Sequence, residues 1–467
     1  MTDSNQYSNL GGKPTIKFML AFTVPTIIGY LLFGVFGMVD QIFASRAIGV
    51  EAMAAVSLVL PFLMSLIAFG SMLAMGGSAL VTKQLGEGQH QQARQTFTLL
   101  TIVVAVSSLG IAMATWVFRE QVVTGLLGAN PAILEDALLY MEPLIMAGTS
   151  IIVGIFIVQY MIASGRPGLS MLSSVSGAVL ATVLNVVFIV GFDMGIQGLA
   201  IATGVGYSLP TVIGVGYFFL TKKSPLYFVA PRWDFALVGR AIVSGASEFI
   251  TMMMVPTTKM VMNNMLINMD GVGAMGVASA GIAMGLMNIF AALFIGFSAG
   301  LAPVVAYNQG NNANTRALFK RGLVVVGALS AIAFVASIAL ASPLVSIFET
   351  VLMVDFDFAL GQPIYYNIHA MTVRGLRMIS VGFILMGINI FTTQWFTAFG
   401  DGLVSGFVSL MQTAVFTVAL LLTLPQMLAI NGIWLALPLA EMLTLGLSVW
   451  FLYKMGEKYG YIKPKVL

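Results

Sequence analysis

The sequence predicts an all-α membrane protein: twelve transmembrane helices in two six-helix lobes related by pseudo-two-fold symmetry about the membrane normal. Three observations lead there. Of the 467 residues, 59% are hydrophobic and only 8% charged, whereas a soluble domain carries about a quarter charged. Apolar segments of roughly twenty or more residues recur along the whole chain, each long enough to cross a hydrocarbon core of about 30 Å as helix, and none alternates like a barrel strand. The chain also resembles itself. "GVEAM" at Gly49 to Met53 returns as "GVGAM" at Gly271 to Met275, "GGSA" at Gly76 to Ala79 returns as "GFSA" at Gly296 to Ala299, and Gly88 precedes Arg94 as Gly310 precedes Arg316. The offset of about 220 residues leaves six spans between mates, so both halves have the same orientation.

The helices follow in order. The first, 16-45, begins where the polar "MTDSNQYSNLGGKPT" stops; no cleavable signal precedes it. The second, 52-83, runs to "LGEG", whose glycine is expected in the left-handed region, and the third is 94-118. The fourth, 136-164, stops at "SGRPG", where the fifth, 168-192, starts; the sixth, 195-221, runs into "TKKSPLYFVAPRWD". That charged, proline-bearing stretch places an N-lobe at 1-221, a cytoplasmic linker at 222-234 and a C-lobe at 235-467. In the C-lobe, helix 7 is 235-267 and helix 8 is 272-306, ending at "YNQG", another expected left-handed glycine. The "GVGAMGVASAG" that opens helix 8 follows no strand, so it is a stretch for close helix approach and not a phosphate cradle. Helices 9 to 12 are 316-341, 370-398, 402-424 and 432-455, with Glu349, Asp355 and Asp357 in a loop before helix 10.

Charge sets the sidedness. Of 21 Lys and Arg, Arg46, Arg119, Arg374 and Arg377 fall on one side, Lys259 falls within a span, and the remaining sixteen lie with the termini. That asymmetry puts both termini in the cytoplasm. The pI near 9 then reports topology, and no nucleic-acid partner is expected. With no cysteine, disulfides, thiolate metal sites and cysteine nucleophiles are excluded. His90 and His369 read as isolated loop residues that form no metal pair.

"DQIFASRAIG", "GGSALVTKQLGEGQHQQAR", "ASGRPGLSMLSSVSGAVLATVLN", "GIQGLAIAT", "APVVAYNQGNNANTR" and "NGIWLALPLAE" together resemble the multidrug and toxic compound extrusion (MATE) family, in particular its DinF-like or MepA-like bacterial branch. The likeness covers nearly the whole chain through the order and spacing of the motifs. It implies a two-lobed exporter that exchanges a cytoplasmic organic compound for an inward proton or sodium ion.

The residues themselves point to Asp40 as the coupling group. No charged residue lies between Lys17 and Asp40, and an ionised aspartate at the bilayer centre costs about 2.5 to 3.5 kcal/mol. Taking a proton there, or a sodium ion, changes which packing of the lobe is preferred. The alternative is that Asp40, late in helix 1, only reaches the outer headgroups. Asn185 on helix 5 can donate to a carboxylate or offer an oxygen to sodium. The resemblance places Asn185 and Thr203 in a polar pocket with the helix 1 acid. It also leads one to expect an acid one turn after Asn185, where this chain has Ile189. With one carboxylate, oxygen coordination of sodium is harder to complete, so the proton is favoured over sodium.

Candidate substrate contacts are Glu248, Lys259, Met252, Met253, Met254, Met260, Tyr30, Phe36, Phe156 and Glu441. Seven of the 31 methionines fall between Met252 and Met269, and flexible thioethers can repack around ligands of different shape, although most fill cores. Glu248 and Lys259 are eleven residues apart, about 16 Å along a helix, so they do not pair directly. Pro256 between them removes a backbone hydrogen bond. The alternative is that Lys259 snorkels and Glu248 sits at the cytoplasmic rim. Asp270 reads as a loop acid.

The expected function is a secondary active multidrug exporter working by alternating access, a monomer in the bilayer whose partners are small amphipathic organic compounds. No cofactor or resident metal is expected. The alternatives are a lipid-linked saccharide flippase, which would demand a cationic cavity, and an exporter of one specific metabolite. An enzyme is not expected, because no nucleophile, histidine cluster or metal spacing is present.

Overall fold

The structure, a computed structural model, describes residues 10–43, 50–131, 133–311, 314–352 and 362–462, and contains no strand among them. Its N-terminal half comprises α1 (Ile16–Phe43), α2 (Val50–Gly86), α3 (His90–Val117), α4 (Leu134–Ala163), α5 (Pro167–Gly191) and α6 (Gly195–Leu220). The C-terminal half comprises α7 (Phe235–Ile267), α8 (Gly273–Gly310), α9 (Thr315–Ala339), α10 (Gln362–Ala398), α11 (Gly402–Leu428) and α12 (Ile430–Met455). Among the described residues, 11 helices are long and apolar enough to cross a membrane; α1, with 28 residues, completes the twelve.

The internal repeat is visible in the packing. α2 packs on α4 as α8 packs on α10, α3 on α4 as α9 on α10, α4 on α6 as α10 on α12, and α1 on α5 as α7 on α11. Each contact maps onto its mate by advancing six helices. The repeat extends to irregularities: α5 ends in a π-helical Val186–Gly191, and α11 contains a π-helical Met411–Phe416. A short helical segment follows both α3 (Arg119–Gln121) and α9 (Ala341–Leu352).

The halves join through α1 against α8, α2 against α7, and α2 against α8. The first two contacts exchange under the same operation, as two-fold symmetry requires. Glycine makes the close approach. A Cβ on Gly245 of α7 would lie 1.8 Å from the Met72 carbonyl oxygen of α2, and one on Gly76 would lie 2.0 Å from that of Ala241. Likewise a Cβ on Gly86 would meet the Tyr307 carbonyl at 2.0 Å, one on Gly310 the Lys83 carbonyl at 2.2 Å, and one on Gly300 the Thr26 hydroxyl at 2.3 Å. Thr26 also donates to the Gly296 carbonyl at 2.7 Å. All these positions lie toward the helix ends that carry the chain termini. Toward the opposite end of α7, Met260 and Ile267 are exposed.

The segments outside the spans are tied down at the terminus-bearing end. Asp234 caps α7 by accepting from the Leu237 amide at 3.0 Å. The connection before it lies along α3, with the Arg94 side chain donating to the Pro225 carbonyl at 3.1 Å and stacked over Tyr227. Asn308 donates to the Leu10 carbonyl at 3.1 Å, and Arg321 to that of Pro14, so the segment before α1 is held by the C-terminal half. After α12, Tyr459 donates to Asp401 at 2.5 Å; burial, then that aspartate, raises the phenol's pKa above its usual value.

Several expectations change. Gly88 adopts the left-handed conformation with φ 78°, as "LGEG" predicts, but Gly310 of "YNQG" does not; that turn uses Asn314, with φ 58°. Gly310 is instead required by the contact with Lys83. Gly296, Gly300 and Gly310 of α8 make the close approach to the other half, whereas within the "GVGAMGVASAG" run Gly276 is closed in by Val272 and by Leu266 of α7, and Gly281 has open space beside it. Glu349 lies on a helix and not in a loop, because Val345 and Phe348 of Ala341–Leu352 pack against Ile282, Leu286 and Leu376. Its carboxylate is buried and bonds His369 Nδ1 at 2.7 Å. His369 is therefore helical as well, since α10 starts at Gln362, and His90 opens α3. Asp270 lies in a turn. Asp355 and Asp357 lie outside the described residues.

Candidate functional site

In the N-terminal half, Asn185 is the last α-helical residue of α5 before its π-helical end and is fully buried. Thr203 on α6 is also buried, its hydroxyl donating to the Leu199 carbonyl at 2.9 Å. Asn185 is 18 residues from Pro167 and Thr203 is 17 from Leu220, so both stand about 26 Å from the terminus-bearing end. The fold thus brings these two predicted polar residues to one level on adjacent helices. α1, which carries Asp40 and Phe36, packs against α5; the side chains of Asp40 and Phe36 lie outside the described residues. Ile189, where the resemblance leads one to expect an acid, is buried.

A second group spans the two halves. On α7, Glu248 accepts from Gln394 of α10, and Ser247 bonds Thr397 at 3.1 Å, one helical turn further along α10. Tyr30 of α1 lies within electrostatic reach of Glu248 and packs against the core of the C-terminal half. Met252 packs against Leu63, Ile67 and Ile151 of the N-terminal half. Met253 and Met254 are half-buried, whereas Met260 is 75% exposed. Lys259 makes no ion pair among the described residues, with Glu248 or otherwise. Phe156 is completely buried, its ring 4.4 Å from that of Tyr160 in the core of the N-terminal half.

The third group surrounds Glu441 of α12. Asn389 of α10 donates to Oε2 at 2.7 Å and to the Glu441 carbonyl at 2.9 Å, and Gln412 of α11 donates to both carboxylate oxygens at 3.0 Å. Ser448, two turns along α12, donates to Asn389 Oδ1 at 2.9 Å and fixes its orientation. The π-helical stretch that carries Gln412 is closed by the Thr417 hydroxyl, which donates to the Gln412 carbonyl at 2.6 Å. Asn389, Gln412 and Ser448 were not singled out from sequence, although amides in the apolar runs "MGINIF" and "LMQTAV" are themselves a signal, because a polar group in hydrocarbon requires a partner.

Such a cage of donors suits an acceptor-only carboxylate. Glu441→Gln turns an amide NH2 toward those donors and is expected to destabilise the protein by about 1–3 kcal/mol, measured as a lower Tm of the purified protein. An unchanged Tm would exclude the cage as drawn. Among the described residues no three His, Cys, Asp or Glu side chains are grouped to hold a metal ion.

The MatE family model matches residues 25–187 and 248–423. The multidrug export protein MepA of Staphylococcus saprophyticus subsp. saprophyticus is 22% identical over 457 residues, covering 97% of this chain and 96% of its own. The MepA of Staphylococcus aureus is 22% identical over 450 residues, covering 96% and 95%. A crystal structure of MATE in complex with MaL6 superposes with a TM-score of 0.89 at 18% identity, over 98% of this chain and 100% of the other. A MOP superfamily transporter from Pyrococcus furiosus gives 0.86 at 18% identity, over 98% and 99%. At that identity the two structures establish a shared fold.

Proposed function

This chain belongs to the MatE family, and from that premise we propose that it is a secondary active multidrug exporter, taking small amphipathic organic compounds out in exchange for protons by alternating access. The family consists of transporters and not enzymes. We place the lobe division at residues 222-234, both termini in the cytoplasm of a bacterial inner membrane, and the working unit as a monomer. In this reading Asp40 takes the proton, Asn185 and Thr203 provide its polar surroundings, and Glu248, Tyr30 and Met252 face the substrate between the lobes.

The observation that supports this reading is the packing of α1, the helix of Asp40, against α5, the helix that bears buried Asn185. A carboxylate on α1 shares its lobe with that amide, and in this reading its charge state biases how α1 sits against α5. The glycine contacts at the terminus-bearing end support a molecule closed toward the cytoplasm, whose cycle requires those contacts to separate.

The test is purified protein in liposomes with pH and sodium gradients imposed separately. Dye transport should follow the pH gradient and collapse with a protonophore. Transport driven by sodium alone would replace the proton with sodium, and transport indifferent to both would remove ion coupling.

A further inference from the structure

Between α10 and α12, away from the residues assigned above, lies a groove of about 920 Å³. Its walls are apolar: Val381 and Leu385 from α10, and Leu435, Pro438, Leu439 and Met442 from α12. One end is cationic. Arg374 and Arg377, three residues apart and hence on one face of α10, are exposed at that end and line the groove. Neither forms an ion pair among the described residues, and no Asp or Glu lines the groove. Glu349, the acid beside the rim, is engaged with His369.

Depth distinguishes the two ends. Arg377 lies 21 residues before Ala398, where α10 ends, so it stands about 31 Å above that end, one full hydrocarbon thickness. Arg374 is one turn beyond. Leu435 lies 20 residues before Met455, the end of α12, about 30 Å by the same measure. The guanidinium groups therefore stand at headgroup level, while Val381, Leu385, Leu439 and Met442 line the zone of the acyl chains.

We propose that this groove is a specific site for an anionic phospholipid of the leaflet remote from the chain termini, its phosphodiester held between Arg374 and Arg377 and an acyl chain laid along the α10–α12 wall. Guanidinium matches phosphate geometry bidentately. Two such groups favour a headgroup of net negative charge over a zwitterionic one, because a choline cation would be repelled by both guanidinium groups and no Asp or Glu among the described residues lines the groove. Binding depends neither on the exported compound nor on the coupling ion, so the site is tested independently of the transport reading.

The experiment is native mass spectrometry of the full-length protein equilibrated with equal amounts of phosphatidylglycerol and phosphatidylcholine of identical chains. Each basic residue near a membrane surface contributes about 1 kcal/mol toward anionic lipid, about five-fold, so the two arginines together give a preference of about 30-fold. R374Q/R377Q should abolish that preference, and L439W, which fills the groove without changing charge, should reduce retention of the lipid. Equal retention of the two lipids by the unaltered protein overturns the proposal, as does an undiminished preference in monodisperse R374Q/R377Q. Should that double variant not fold, L439W decides alone, and unchanged lipid retention in it overturns the site. Glycerol phosphate is the remaining arm: failure to displace phosphatidylglycerol supports a lipid site, and displacement at equal concentration overturns it in favour of a soluble anion.

Discussion

Gly245→Val should leave the protein inserted and folded yet cut dye export about tenfold or more. The first added carbon would occupy a point 1.8 Å from the Met72 carbonyl oxygen and 3.1 Å from the Gly76 amide nitrogen, backbone atoms of α2 that no rotamer change can move aside. Relief comes only by moving α7 off α2, and overpacking of this kind costs about 1–3 kcal/mol. At 1.4 kcal/mol per tenfold, that is enough to shift the equilibrium away from the arrangement closed at the terminus-bearing end. The chain has no cysteine, so closure can be read without background. Glu87→Cys with Asn311→Cys places thiols beside the contact in which a Cβ on Gly86 would lie 3.2 Å from the Asn311 amide. Cross-linking of that pair should be efficient in the parent and fall at least several-fold with Gly245→Val. Equal cross-linking and equal export in both backgrounds would show that the α2–α7 contact does not control the cycle.

Asp40→Asn should reduce potential-driven export to the level of protein-free vesicles while leaving the fold intact. The substitution preserves size and removes the charge that can be neutralised. One charge crossing 100 mV supplies about 2.3 kcal/mol, enough for roughly a fifty-fold substrate gradient, and this is the amount lost with the only acid between Asp3 and Glu51. A monovalent cationic drug exchanged for one proton moves no net charge. Potential-driven accumulation therefore requires a neutral or zwitterionic substrate, or a second proton site, for which Glu248 and Glu441 are the acids at hand. The measurement is accumulation of neutral and cationic dyes in energised inverted vesicles, with and without protonophore. Protonophore-sensitive export that persists in Asp40→Asn would pass the coupling role to those two acids, to be tested as Glu248→Gln and Glu441→Gln.

The candidate residues divide by how far apart their partners lie in the chain. Asn185 stands out as an amide inside an apolar run and Thr203 only through the family resemblance, and two adjacent helices bring them to one level. Glu248 and Glu441 were legible, like Asn185, as polar residues inside apolar runs, but their surroundings were not: the partners of Glu441 come from α10 and α11, and that of Glu248 lies 146 residues away on α10. Glu349 reads as a loop residue in the sequence because Ala341–Leu352 is too short to register as a span, and its apolar face becomes informative only against Ile282, Leu286 and Leu376; His369 does so because α10 begins at Gln362, several residues before its apolar run. Phe156 was indistinguishable by sequence from a residue lining a cavity, since an aromatic ring suits either place.

The sequence by itself determined the twelve helices, their ends to within several residues, the duplicated order of the halves and the side on which positive charge gathers. Each of these is a property of local composition, because hydrocarbon thickness sets helix length and the backbone must satisfy its own hydrogen bonds within each span. Tertiary structure alone decided which glycines carry the contact between the halves, which amides enclose Glu441, and that two arginines crown an apolar groove. Those depend on which helix faces meet, and apolar surface, attracting lipid and neighbouring helix almost equally, records no choice of partner in the one-dimensional pattern.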